Sequence, residues 1–193
     1  MWQIEEAAKA IKMVALDGDG VLFPNDAWEG LSIGGVSLKP KTRSHYDGQG
    51  ISFLRGIGIK VCVITNAERI DGQAAQELVH RWNALPSAGR EGGWAPVEIF
   101  SGYDGVRKQD ALGLWLSRHG CRFDQCAVMG NDIGDYHMLK VAKLPACPSD
   151  AEPQIANMCR FVADRPGGRG AVRDLCNLIL RARGIDPITL PLN

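Results

Sequence analysis

Along most of this chain, short apolar runs alternate with stretches whose apolar positions recur every three or four residues. "KMVAL" predicts a buried strand, and a helix is expected around "GISFLRGIG". "IKVCVIT" reads as the next strand, with helical spacing after it in "AAQELVHRW". "VEIF" is a third strand before the helix "KQDALGLWLSRHG", and "QCAVMG" a fourth before "DYHMLKVA". "LPACP" and "RFVAD" supply two more, and "GAVRDLCNLILRARG" closes the chain as a helix. Strands and helices in turn predict an α/β fold, a mostly parallel sheet with helices on both faces.

Two stretches break the alternation. Residues 24–46, "PNDAWEGLSIGGVSLKPKTRSHY", are rich in Gly, Pro and Ser and predict a hairpin flap. Residues 83–95, "NALPSAGREGGWA", predict an irregular surface loop with Trp94 as a packing anchor. At 193 residues the chain is long enough for one domain with a sizeable core, so 1–193 is read as a single domain with the flap inserted.

Charge removes whole classes of partner. Lys plus Arg equals Asp plus Glu at 22 each, so no overall field favours nucleic acid or an anionic membrane. The six cysteines form no C-x-x-C pair and sit mostly in apolar runs, which predicts small buried hydrophobes in a reducing compartment. The opening "MWQIEEAAKAIK" lacks a signal-peptide pattern and no run spans a bilayer, so a cytoplasmic protein is expected.

The candidate chemistry lies where strands end. In "MVALDGDGVLF" a buried strand runs directly into Asp17 and Asp19, two carboxylates that repel unless something positive lies between them. "VCVI" runs into Thr65 and Asn66, and "CAVMG" into Asn131 and Asp132. Lys108 opens the helix after "VEIF" and "SGYDGVR", a place where a cation calls for an anionic partner. Open parallel sheets bind ligands beyond the carboxyl ends of their strands. If these strands are neighbours, carboxylates, a hydroxyl and an ammonium converge on a site suited to Mg²⁺ and a phosphoryl group. An EF-hand is excluded by Val21 and Leu22, and neither a G-x-G-x-x-G fingerprint nor a Walker A sequence is present.

These residues carry a family resemblance. "LDGDGVL", "VIT" with Thr65, Lys108 and "MGNDIGDYHML" resemble the four ordered motifs of the haloacid dehalogenase superfamily. "YDGQGISFLRGIGIKVCVIT" and "ACPSDAEPQIANMCRFVADRPGGRGAVRDLCNLIL" are similar to the 3-deoxy-D-manno-octulosonate 8-phosphate phosphatases and their nine-carbon ulosonate 9-phosphate relatives. The resemblance spans roughly residues 12–180. It implies a doubly wound Rossmann-like fold without a large cap domain, Mg²⁺ dependence, and a homotetramer in which neighbours cover the sites. The sequence departs from the family at Ala67, where an arginine is common, at Tyr46, at Phe23-Pro24-Asn25 in the flap opening, and at Asn131.

The roles implied are specific. Asp17 is the nucleophile and Asp19 the acid/base, with Mg²⁺ held by Asp17, a carbonyl near Asp19, Asn131 and Asp132. Thr65, Asn66 and Lys108 bind the phosphoryl group, and Asp135 supports Lys108 or a metal water. The implied substrate is a small phosphorylated acidic sugar. Its carboxylate needs a cation, for which Arg69, Arg43, Lys41 and Arg169 are candidates. Simpler roles stand beside these: Thr65 and Asp135 suit helix caps, and His45 and Tyr46 suit flap packing as well as substrate contact. "PGGRG", residues 166–170, suits either a flexible turn or an anion site built from its amides and Arg169. One competing reading is a phosphatase of another small metabolite; the other is a non-catalytic oligomerisation domain, like relatives attached to nucleotidyl-sugar synthetases. The latter predicts loss of the nucleophile, and both aspartates and the lysine are in place.

Overall fold

The structure is a computed structural model and describes residues 2–88 and 90–190. Its centre is a six-stranded, all-parallel sheet. The chain runs α1 (Trp2–Lys9), β1 (Met13–Leu16), a small antiparallel hairpin of β2 (Ser32–Ile33) and β3 (Val36–Ser37), and α2 (His45–Gly56). It continues through β4 (Lys60–Thr65), α3 (Arg69–Asn83), β5 (Glu98–Ser101), α4 (Val106–Arg118) and β6 (Cys126–Met129). The last elements are α5 (Tyr136–Val141), β7 (Leu144–Cys147), α6 (Pro153–Met158), β8 (Phe161–Val162) and α7 (Ala171–Ala182). The spatial order is β5-β4-β1-β6-β7-β8, which places β1 inside the sheet between β4 and β6.

Each face of the sheet has its own core. Val14 and Leu16 of β1 point into a cluster with α1, α2, α3 and α7. Met13 and Ala15 point the other way, toward α4, α5 and α6, with Trp115 fully buried among them. This period-two division explains why β1 is an unbroken apolar run: both of its faces are covered. The strongest helical pattern, in α7, buries Val172, Leu175, Cys176, Ile179 and Leu180 at helical spacing against α1 and α2.

All six expected strands form where their apolar runs lie. Two helices, α1 and α6, were not expected, and α2 begins at His45, inside the stretch assigned to the flap. Ser44 accounts for that start, because its hydroxyl accepts the Tyr46 amide at 3.2 Å as an N-cap. Trp94 does anchor the 83–95 loop: the Arg55 guanidinium sits over its ring at 5.5 Å, and Arg55 also donates to the carbonyls of Ala95 and Trp82. The cysteines are free and at least partly buried, as their apolar surroundings predict. Among the described residues, no helix is long and apolar enough to cross a membrane.

Candidate active site

The carboxyl ends of β1, β4 and β6 meet in a cleft of about 630 Å³. Asp17 follows β1 directly, and its amide donates to the Met129 carbonyl, so the nucleophile candidate is fixed to β6 at the sheet centre. The next turn is tight. The Gly18 carbonyl accepts from Leu22 at 2.9 Å and Phe23 at 3.0 Å, while the Gly20 amide donates back to the Phe23 carbonyl. Gly20 has φ of +82°, and a Cβ there would lie 2.1 Å from the Asn131 side chain. The glycine thus serves both the turn and the approach of Asn131.

Lys108, in the first turn of α4, is buried and donates to Asp17 Oδ1 at 2.7 Å and Asp135 Oδ1 at 2.6 Å. Burial acts against its charge, but the two carboxylates outweigh this and push its pKa above the usual lysine range. Burial and the Asp135 carboxylate raise Asp17 from 3.8 to about 7, with Lys108 opposing them. Asp135 turns its second oxygen to the amides of Asn131 (2.8 Å) and Asp132 (3.2 Å). It therefore holds the post-β6 loop and aims Lys108 together, and its side chain does not cap α5.

Thr65, buried at the end of β4, accepts the Ala67 amide at 3.1 Å through Oγ1. The hydroxyl proton remains to be donated into the cleft. Asn131 is buried, and among the described residues its Oδ1 has no hydrogen-bond partner. Asp132 is exposed, and Oδ1 of its carboxylate accepts the Ile133 amide at 2.6 Å, closing a short 3₁₀ turn.

Asp17 and Asp19 are not left facing one another; each has its own lysine. Lys41, from the flap, binds both oxygens of Asp19 at 2.5 and 2.7 Å. A second flap lysine, Lys39, pairs with Asp71 of α3 at 2.7 Å, so the flap is tied down on both sides of the cleft. Its tip stays outside, with Trp28, Ile33 and Val36 more than half exposed.

Of the residues expected at the site, Asp17, Asp19, Thr65, Asn66, Lys108, Asn131, Asp132 and Asp135 all line this cleft. Arg69 does not. The chain takes a left-handed φ of 52° at Arg69 as it enters α3, its side chain is exposed, and Glu68 lines the cleft in its place. Arg169 borders an adjoining cavity. The amides of the 166–170 turn are used within the protein: Gly167 donates to Asp150, Gly168 to the Val21 carbonyl, Arg169 to the Pro166 carbonyl and Gly170 to Asp47. That turn is docked, and no backbone anion site remains in it. The Lys41–Asp19 pair is the contact that sequence reasoning missed, since nothing periodic links positions 19 and 41.

Residues 49–172 match the family described as haloacid dehalogenase-like hydrolase. The chain belongs to that haloacid dehalogenase-like family. Its relatives include the 3-deoxy-D-manno-octulosonate 8-phosphate phosphatase of Yersinia pestis, 30% identical over 93% of this chain and 84% of the relative. The Salmonella typhi phosphatase of the same name is 28% identical over 92% of this chain and 83% of its own. The crystal structure of the Yersinia pestis enzyme superposes with a TM-score of 0.78 at 25% identity, covering 94% of this chain and 87% of the other. The Moraxella catarrhalis phosphatase, solved with magnesium ion, phosphate ion and KDO, superposes with a TM-score of 0.77 at 25% identity, covering 95% and 94%. Family and relatives agree on the class of enzyme, a hydrolase of phosphoric monoesters.

Proposed function

We propose that this haloacid dehalogenase-type phosphatase hydrolyses a phosphorylated acidic sugar, 3-deoxy-D-manno-octulosonate 8-phosphate or a nonulosonate 9-phosphate, with Mg²⁺ as cofactor. The observation that carries the reading is the buried Asp17 at the end of the central strand, paired with Lys108 and sharing one cleft with Asp19 and Thr65. The relatives named for the octulosonate phosphate, one of them solved with magnesium, phosphate and KDO, support the substrate class.

The donor set fits a hard dication. Eight carboxylates but three ammonium groups line the cleft, so a phosphate dianion needs further positive charge to enter. Asp17, the carbonyl of Asp19 and Asn131 Oδ1, the buried oxygen without a partner, would hold the ion. Asp132, which lines the cleft but has Oδ1 engaged by the Ile133 amide, would act on it from outside this set. When bound, Mg²⁺ neutralises the repulsion between Asp17 and the phosphoryl oxygens.

The residues of the chain do the rest. The Asp17 carboxylate attacks phosphorus, forming an aspartyl-phosphate as the bond to the sugar oxygen breaks. Asp19 gives its proton to the departing alkoxide, then takes one from the water that attacks the aspartyl-phosphate and releases inorganic phosphate. Lys108 has three N–H donors and spends two on carboxylates, leaving one for an equatorial oxygen. Thr65 and Asn66 offer donors on the opposite side, placed before charge develops.

The test is a hydrolysis panel of eight- and nine-carbon ulosonate phosphates, neutral hexose 6-phosphates and nucleotides at matched Mg²⁺. Higher kcat/KM on the ulosonate phosphates is expected, and equal or better turnover of neutral sugars overturns the substrate reading. The protein is read as a cytoplasmic homotetramer with the residue 24–46 flap at an interface, because Trp28, Leu31, Ile33 and Val36 are exposed there. Light scattering should report four chains at micromolar concentration. A fully active monomer would sink that assembly.

A further inference from the structure

A second cavity of about 360 Å³ adjoins the catalytic cleft, between the arms of the flap and the 166–170 turn. The two share Pro24, Asp26, Ala27, Trp28, Pro40 and Lys41 as a common wall. Arg169 and Thr42 line this annex and not the cleft. We propose that Arg169 reads a carboxylate on the leaving half of the substrate, with Lys41 between it and the reacting end. The inference rests on the acidic-sugar reading above and assigns the acid group a place.

Direction comes from Asp19. The phosphoryl group must reach Asp17 at the floor of the cleft, and the departing oxygen must face Asp19, which gives it a proton. Lys41 binds that same carboxylate and borders the annex, so the annex opens on the leaving-group side. In an ulosonate phosphorylated at its terminal hydroxyl, the carboxylate lies at the opposite end of the carbon chain from the phosphate. The far end of such a molecule points to Arg169. Pro24, Ala27, Trp28 and Pro40 give the ring carbons an apolar wall.

Arg169 is also held and available. A Cβ at Gly167 would fall 1.9 Å from the Gly20 carbonyl, so the turn is pressed onto the catalytic loop, and the Gly168 amide bonds the Val21 carbonyl at 2.8 Å. The base of the Arg169 side chain is thereby fixed relative to Asp19. Nearby arginines are committed, Arg165 to Asp174 and Arg173 to Gln49 and Asn177. Among the described residues, the Arg169 guanidinium has no ion-pair or hydrogen-bond partner. Its planar fork suits a carboxylate bound through both oxygens. Asp26 lies on the same wall and would be met by sugar hydroxyls.

The test measures kcat/KM for an ulosonate phosphate and for a hexose 6-phosphate on wild type, Arg169→Gln and Arg169→Lys, with melting curves for each. The side chain is exposed, so the fold should survive both changes. The acidic-to-neutral ratio is expected to fall about 10- to 100-fold in Arg169→Gln, chiefly through KM, the range set by one charge-assisted contact. Arg169→Lys should lie between the two. If wild type prefers the acidic sugar and Arg169→Gln keeps that preference, the subsite is wrong while the substrate reading stands. If wild type shows no preference, both fall.

Discussion

Asp17→Asn is expected to abolish turnover while making the metal-free protein harder to unfold. Asparagine keeps the shape of the side chain but cannot form the aspartyl-phosphate. Loss of the attacking group should lower kcat by at least about 10⁴-fold. The stability gain follows from the raised pKa of Asp17, about 7 in the fold against 3.8 ordinarily. A carboxyl whose folded pKa is raised holds its proton better in the native state, so ionisation opposes folding. That opposition is absent below about pH 4, grows as pH rises through the window up to 7, and is complete above it. At pH 8 the neutral amide should therefore relieve that opposition, and Lys108 keeps Asp135 as its partner; near pH 4 the two proteins should melt alike. Melting curves without Mg²⁺ at both pH values, beside steady-state assays with Mg²⁺, check both halves. Near-normal turnover of Asp17→Asn would refute the covalent route.

Lys108→Met should damage both properties at once. Methionine fills similar space, but Asp17 and Asp135 would then share a buried site with no cation between them. Removing one partner of a buried ion pair costs about 3–5 kcal/mol, or roughly 6–20 °C in Tm for a domain of this size. Loss of a donor aimed at the transferring group should cut kcat by at least about 10²–10³-fold. A second change separates the two effects. Asp135→Asn removes one of the opposed charges and keeps an oxygen for the amides of Asn131 and Asp132. The double variant should regain a large part of the lost Tm and none of the activity. Recovery of activity would mean that Lys108 acts only by holding Asp135 in place.

The sequence made the strands and most of the cleft legible for one reason: strand ends are local. An apolar run that stops at Asp17, Thr65 or Asn131 announces both the strand and the residue presented at its tip. Helices α1 and α6 were harder to read. Each has eight residues or fewer, too short for spacing to declare itself, and α6 is packed chiefly through Ile155. Contacts across irregular chain left no trace either. Lys41 reaches Asp19 from a Pro- and Gly-rich flap without periodicity, and the choice between Asn131 and Asp132 depends on a turn in which Asp132 caps and Asn131 is buried. Arg69 lies outside the cleft because distance from Thr65 along the chain says nothing about a left-handed step at Arg69 itself.

The contact between Gly167 and the Gly20 carbonyl also bears on the order in which the molecule is made. The catalytic loop emerges from the ribosome long before the turn that clamps it. Contacts between such distant positions form late, since the chain entropy lost in joining them is repaid only when the intervening elements are in place. A nascent chain that already displays Asp17 and Asp19 still lacks the turn that sets their loop, so catalytic competence waits until that turn has been made and docked.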